Sequence, residues 1–211
     1  MARPAEFDRS EVIRKATAAF CRTGYTATSI SELVKVTNLK PGSLYGAFNS
    51  KRGLFLEVLS VYAAERKNIV HARLTSSSSP LDCLRFYFDE LLDEIDCSEN
   101  NPQADLIVKT IVELGAEDEE IRELAKRHLA SIEVLIAELL ERAIACGELS
   151  NDAQPARMAK FIVANIIGIR VTGGTHLSRE EFQALIDQMF TVLDIPNKPQ
   201  QNTTSSCSVT A

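Results

Sequence analysis

The chain has 211 residues, of which 45% are apolar and 25% are charged, a balance typical of a soluble globular protein with one or two domains. Its longest nearly uncharged apolar run, residues 161–169, is too short to span a bilayer, and the charged N-terminus lacks the apolar core of a signal peptide. The five cysteines show no CxxC pairing, which argues against a zinc site or a disulfide framework. We therefore expect a cytoplasmic protein with free thiols and no metal, cofactor or membrane partner.

Basic residues are concentrated near the N-terminus. Residues 1–56 contain nine Lys/Arg and four Asp/Glu, a net charge of +5, whereas the remainder carries a net charge of −11. A basic head on an acidic body indicates that the head alone meets a polyanion. Chance unevenness on solvated surfaces is the alternative explanation.

Helical periodicity runs through nearly the whole chain. Gly24 is predicted to close the first helix, and Asn38 lies at a sharp turn after the second, because Asn tolerates the left-handed conformation. Pro41 suits the first position of a short third helix, and Ser50 is predicted to cap a fourth that runs towards Leu74. Three pairs have the form of a capping box and predict helix starts: Asp8 with Glu11, Ser29 with Glu32, and Ser178 with Glu181.

A run of serines followed by Pro80 is the clearest internal boundary. No run in the chain shows a convincing period of two bounded by hairpin turns, so the predicted fold class is all-α with about nine helices. The tail, 197–211, is rich in Gln, Ser and Thr and is expected to be disordered. Apolar patterns predict five helices after the boundary, at about 81–95, 102–114, 118–146, 155–171 and 178–193.

The stretch TSISELVKVTNLKPGSLYGAFNSK, residues 28–51, places two short helices around a polar turn and is a helix-turn-helix candidate. The N-terminus of each short helix presents unpaired N–H groups and a partial positive charge, which suit a phosphate. Gly42 and Gly46 lack side chains, so the backbone of the second helix can approach DNA closely. The alternative is a helical hairpin within a bundle. Hydroxyl and ammonium donors surround the same surface on Thr28, Ser29, Tyr45 and Lys51.

The segments FCRTGYTATSISEL and KPGSLYGAFNSKRGL, residues 20–33 and 40–54, strongly resemble the N-terminal domain of TetR/AcrR-family transcriptional regulators. The resemblance implies a helix-turn-helix DNA-binding domain over residues 1–52 and a helical effector-binding and dimerisation domain over 53–196. It also implies a homodimer in which each subunit places its third helix into a major groove of a palindromic operator.

The resemblance assigns roles by position. Ser29 and Pro41 complete the predicted DNA-binding set. Apart from the resemblance, Arg3 and Arg9 near the N-terminus are candidates for a phosphate or the minor groove, and a solvated, disordered arm is the alternative. Where the family often has His or Tyr after the Leu-Tyr pair, this chain has Gly46 and Ala47, which can shift sequence preference. Phosphate contacts are implied for Thr28, Tyr45 and Lys51, and base-edge or nearby backbone contacts for Lys40, Gly42 and Ser43.

The last two predicted helices are the candidate dimer interface. The helix at 155–171 is apolar on more than one face and contains small residues that permit close helix approach, and the helix at 178–193 carries one apolar stripe. A four-helix interface built from these two helices of each subunit resembles the family arrangement. The alternative is that both stripes fill the core of a single subunit.

The resemblance further implies a pocket for an unidentified small-molecule effector within the middle helices. A histidine satisfied within the core, or an arginine paired across the dimer, is the alternative for individual residues. A ligand releases DNA only if it prefers the state in which the two recognition helices are wrongly spaced. The candidates to line the pocket are His128, Phe161, Asn165 and Arg170.

The sequence also bears on other classes of function. The chain has no Gly-rich phosphate loop, GxSxG elbow or HExxH motif, so we expect no enzyme, and a helical adaptor would leave the basic head unexplained. A thiol-sensing repressor of the same fold is the closer alternative, although the acids beside Cys97 raise the pKa of its thiol and so disfavour it. We predict a ligand-responsive dimeric regulator, and repression itself is implied by the resemblance. The cysteines considered for redox sensing are Cys21, Cys83, Cys97 and Cys146.

Overall fold

The computed structural model describes residues 7–96, 105–173 and 177–195, and these ranges form nine α-helices and no strand. None of these helices has the length and apolar character needed to cross a membrane. The predicted all-α class is confirmed, while Arg3, Cys97, the start of the helix predicted at 102–114 and the tail lie outside the described ranges. The helices are α1 (Arg9–Ala27), α2 (Ile30–Thr37), α3 (Pro41–Phe48), α4 (Lys51–Leu74), α5 (Pro80–Asp96), α6 (Leu106–Leu114), α7 (Glu119–Ala145), α8 (Pro155–Thr172) and α9 (Arg179–Val192).

Side-chain caps fix most of the helix starts. Ser178 and Glu181 form both hydrogen bonds of a capping box, and Asp8 and Ser29 each accept from an N–H of the first turn. Gly24 differs from its predicted role, because α1 kinks there but resumes and ends at Ala27. The kink is possible because Gly24 adopts φ 80° and ψ 177°, a conformation almost exclusive to glycine.

Two apolar clusters form the core. One joins α1, α2, α3 and the first half of α4 to α6 and the start of α7, and the other joins the end of α4 to α5, α7, α8 and α9. Phe20 and Phe55 are fully buried in the first cluster with their rings edge-to-face at 4.8 Å. Helices α4 and α7 contribute to both clusters and α6 packs on α1, so the N-terminal helices are in continuous contact with the rest of the chain.

Candidate functional site

Helices α2 and α3 form a helix-turn-helix whose geometry is set by its buried side. Asn38 ends α2 in the left-handed conformation, with φ 59° and ψ 28°, in agreement with the prediction. One side of each helix is held against α1 and α4 by residues buried in the first apolar cluster, namely Leu33, Leu44 and Phe48. The opposite side of α3 therefore faces outward.

The outward face of α3 is small and polar. The side chain of Tyr45 is 45% exposed, and a Cβ built on Gly42 or Gly46 would meet nothing within 4 Å. A helix with so little side-chain bulk can bring its backbone close to the floor of a major groove. The structure thus brings most of the predicted DNA-binding residues onto one exposed surface, namely Lys40, Pro41, Gly42, Ser43 and Tyr45.

Most positive charges of the N-terminal head are already paired within the chain. Arg9, a candidate for DNA, instead donates to Glu57 and lies 4.3 Å from the centre of the Phe48 ring. Among the described basic residues of the head, only lysines lack an ion pair. One of them, Lys35, is absent from the predicted DNA-binding set, because the sequence does not show which charges pair. The other paired groups are Arg14 and Lys15 with Glu11, Arg22 with Glu32, and Arg52 with Asp118 and Glu120. The lysines without an ion pair are Lys35, Lys40 and Lys51.

Two of the predicted phosphate contacts lie where α1 meets α2. The Lys51 Nζ lies 4.3 Å from the centre of the Tyr25 ring, and partial burial lowers the pKa of its ammonium group. Thr28 is fully buried, and its hydroxyl donates to the Gly24 carbonyl at 2.5 Å. A phosphate contact from the Thr28 side chain therefore requires that hydrogen bond to break. The Ser29 hydroxyl oxygen accepts from the Glu32 N–H and caps α2.

Helix α6 holds the kink of α1 at two points one turn apart. Lys109 donates to the carbonyl of Cys21 at 2.7 Å, and a Glu113 carboxylate oxygen accepts from the N–H groups of Tyr25 and Thr26 at 2.9 and 3.2 Å. A Cβ on Gly24 would lie 1.8 Å from the other carboxylate oxygen of Glu113. The kink that positions the start of α2 therefore depends on close contact with α6.

A cavity of about 40 Å³ lies among α4, α5, α6, α7 and α8. It brings together two of the predicted effector residues, His128 and Arg170, on a wall that is otherwise mainly aliphatic. Phe161 and Asn165 lie instead on another face of α8, in its groove with α9, where the Asn165 amide donates to the Phe161 carbonyl at 2.8 Å. The structure thus separates the four predicted effector residues into two sites.

An ion network crosses one side of this cavity. Glu94 bonds Arg66, Arg73 and Arg170 at 3.2, 3.1 and 3.2 Å, while Asp105 caps α6 with one carboxylate oxygen. Burial alone would raise the pKa of Glu94, but the attraction of Arg66 and Arg170 outweighs it and lowers this pKa to about 2. Sequence reasoning missed Arg66 and Asp105. The signal that could have revealed them is a charged residue at a core position of a helical pattern.

Two of the described cysteines, Cys21 and Cys83, are buried. Cys21 is 6% exposed, and burial, with Asp105 nearby, raises the pKa of its thiol to about 11. Cys83 is also buried, whereas Cys146 is exposed. The raised pKa of Cys21 disfavours the redox alternative at that thiol.

An apolar groove of about 520 Å³ runs between α8 and α9. Phe161, Leu185 and Val192 are 42%, 52% and 63% exposed along these two helices. A Cβ on Gly168 would meet nothing within 4 Å, so the backbone of α8 is open to close approach. The predicted interface helices thus present an uncovered apolar face.

Two family models match the chain. The model described as bacterial regulatory proteins, tetR family, matches residues 12–58, which contain the helix-turn-helix. The model described as tetracyclin repressor-like, C-terminal domain, matches residues 80–189, which contain most of the groove between α8 and α9.

Individual proteins match over most of their length. The uncharacterised HTH-type transcriptional regulator YezE of Bacillus subtilis is 26% identical, covering 92% of this chain and 100% of that protein. The HTH-type transcriptional repressor ComR of Escherichia coli is 27% identical, with 87% of each chain covered. A solved structure of the TetR family regulator CifR, a cysteine mutant complexed with 26 bp operator DNA, has a TM-score of 0.78 and 26% identity, covering 90% of this chain and 98% of that one.

Proposed function

Because this chain belongs to the TetR family of bacterial regulatory proteins, we propose that it is a ligand-responsive, dimeric repressor that binds a palindromic operator in the cytoplasm. The observation that carries this proposal is the small, polar and exposed face of α3 inside the segment that matches the family model. The relative CifR, solved with operator DNA, supports the same mode of binding. We propose no catalytic activity, since the family consists of regulators.

The direct test is binding to the DNA upstream of the protein's own gene, followed by selection of bound fragments from the source genome. We expect a complex that is selective for sequence and weakens steeply with salt, because phosphate contacts release counterions. An enzyme or an adaptor would give no such complex. Equal affinity for every duplex at low salt would contradict the repressor proposal.

We propose that the N-terminal part, residues 1–52, reads DNA through two kinds of contact. Lys51 and the N-terminus of α2 at Ser29 meet phosphates, because they lie around the α1–α2 junction. Tyr45 meets a further phosphate, because its side chain is 45% exposed on the outward face of α3. The start of α3 lies close to base edges, because three residues there are exposed and two of them carry little side-chain bulk. The residues concerned are Lys40, Gly42 and Ser43.

Lys51→Ala tests the phosphate contact. We expect operator affinity to fall by about threefold to tenfold for all sequences, and the slope of log affinity against log salt to flatten by about one per subunit. Fluorescence anisotropy over a salt series measures both quantities. Lys40→Ala is the matched variant, since it should change the preference between operators. A Lys51→Ala protein with unchanged salt slope would remove Lys51 from the interface.

We propose that α8 and α9 of two subunits form the dimer, as a four-helix interface that covers the groove between them. Exposed apolar side chains and the open backbone at Gly168 support this arrangement. Residues 53–196 would then form the effector-binding and dimerisation part.

Leu185→Lys places a charge on this groove. We expect the protein to become monomeric at micromolar concentration and to lose at least tenfold in operator affinity, because a lone subunit reads one half-site. Sedimentation velocity measures the first effect and anisotropy the second. Val134→Lys is the matched control, since Val134 is 55% exposed but does not line the groove. A dimeric Leu185→Lys protein would place the interface elsewhere.

We propose that the effector binds in the cavity among α4, α5, α6, α7 and α8 and acts on DNA binding through α6. Asp105 at the start of α6 faces the cavity, while Lys109 and Glu113 on the same helix hold the kink of α1. A shift of α6 therefore changes the position of α2 and α3 without any direct contact between effector and DNA.

A further inference from the structure

Two arginines and one carboxylate are the charged groups that the described residues place on the cavity wall. Arg66 and Arg170 line the cavity with their side chains 15% and 10% exposed, and the carboxylate is that of Asp105. Burial, the largest effect, lowers the pKa of His128 below its usual 6.5, so this side chain is neutral at pH 7. Glu94, behind the wall, bonds both arginines, so the attraction for an anion comes from their unused N–H donors and not from a net positive charge.

The two guanidinium groups have more donors than acceptors within reach. Each guanidinium carries five N–H donors, yet the hydrogen bonds of Arg66 and Arg170 in the described structure go only to Glu94. Asp105 Oδ2 lies 3.7 Å from Arg66 Nε and 3.7 Å from Arg170 Nη1, which is too long for a hydrogen bond. Both side chains thus line the cavity with N–H donors that make no hydrogen bond to the described residues.

The rest of the wall and the size of the cavity restrict what can carry that acceptor. Val70, Leu129, Ile132 and Val163 make much of the remaining surface aliphatic, which suits a hydrocarbon and not a second charge. A volume of about 40 Å³ exceeds the space of one water but is far below that of a pocket for a drug-sized ligand.

We propose that the effector is a small aliphatic monocarboxylate whose carboxylate bridges Arg66 and Arg170 and whose short tail lies against the aliphatic wall. This inference rests on the proposed function, since it names the ligand class of the same cavity. A carboxylate matches the planar fork of a guanidinium and can accept from both residues at once.

The same position explains how the ligand acts on DNA binding. Asp105 caps α6 through Oδ1, which accepts from the N–H groups of Ile107 and Val108 at 2.9 and 3.3 Å. A ligand carboxylate beside Oδ2 repels the Asp105 carboxylate. It also replaces Asp105 as the partner of the Arg66 and Arg170 guanidinium groups. The start of α6 then loses its anchor, and Lys109 and Glu113 transmit the change to α1.

Calorimetric titration of the full-length protein with four probes tests the ligand class. We expect sodium butyrate to bind at least tenfold more tightly than butyramide, and butylamine and inorganic phosphate to give no measurable binding. Butyrate should also weaken the operator complex. Equal binding of the amide, the amine or phosphate would overturn the proposal, as would failure of all linear acids from acetate to hexanoate while the operator complex forms normally. Absence of the operator complex itself would instead contradict the proposed function.

Three arginine variants test the site. Arg66→Lys and Arg170→Lys keep the charge but lose the fork, and we expect each to lower butyrate affinity at least tenfold. Arg73→Lys is the matched control, because Arg73 bonds Glu90 and Glu94 but does not line the cavity, and its affinity should stay within twofold. An equal loss in all three would overturn the site. Thermal unfolding of each variant establishes that it folds, and the four-probe titration does not depend on the variants.

Discussion

Gly24→Ala is expected to unfold at a temperature roughly 5–10 °C lower and to bind its operator at least tenfold more weakly. The backbone at Gly24 is in a conformation that costs other residues about 1–3 kcal/mol, and the added Cβ would also overlap the Glu113 carboxylate. Because Glu113 accepts from Tyr25 and Thr26, relief of the overlap displaces the chain that leads into α2. Thermal unfolding and anisotropy measure the two effects.

Gly147→Ala is the matched control for this prediction. Gly147 also has a positive φ, of 75°, but a Cβ there would meet nothing within 4 Å. We expect a loss of about 1 kcal/mol in unfolding free energy and unchanged operator affinity. In the double variant Gly24→Ala, Glu113→Ala the overlap is absent. Its loss in unfolding free energy should therefore be smaller than the sum of the losses in the two single variants. Full operator affinity in Gly24→Ala would show that the kink does not position the helix-turn-helix.

Glu94→Gln is expected to lower the free energy of unfolding at pH 7 by about 3 kcal/mol. Arg66, Arg73 and Arg170 share this carboxylate, and removal of its charge leaves two largely buried guanidinium groups poorly compensated. Urea unfolding at pH 7 measures the loss. Asp93→Asn on the same helix is the control, because Asp93 is 65% exposed in its ion pair with Arg179 and should contribute at most about 0.5 kcal/mol.

The contribution of Glu94 to the stability of the fold should depend on pH in a definite direction. The pKa of Glu94 falls from its usual 4.5 to about 2 in the folded chain, so ionised Glu94 stabilises the fold above pH 4.5. That contribution is lost as the pH falls through 4.5 towards 2. The difference in stability between the original chain and Glu94→Gln should therefore shrink over this range. A difference that stays constant down to pH 2 would show that the ion network does not stabilise the fold.

The helices and the helix-turn-helix were predictable from the sequence because local interactions determine them. Caps such as Ser178 with Glu181, the turn at Asn38 and the apolar spacing of Leu44 and Phe48 all act within a few residues. The same applies to the exposed glycines of α3, whose open side follows from the two buried positions of that helix. A single sequence therefore determined the fold class, the helix-turn-helix and which side of α3 faces outward.

The pairing of charges and the position of the cavity were decided only by tertiary packing. Arg9 with Glu57 and Arg66 with Glu94 join residues 48 and 28 positions apart, and helical periodicity does not specify which helix covers which face. Helix α8 is apolar on several sides, so its sequence did not separate Arg170 at the cavity from Asn165 at the outer groove. Thr28 illustrates the same limit, because its burial depends on the α1 kink that Glu113, far along the chain, holds in place.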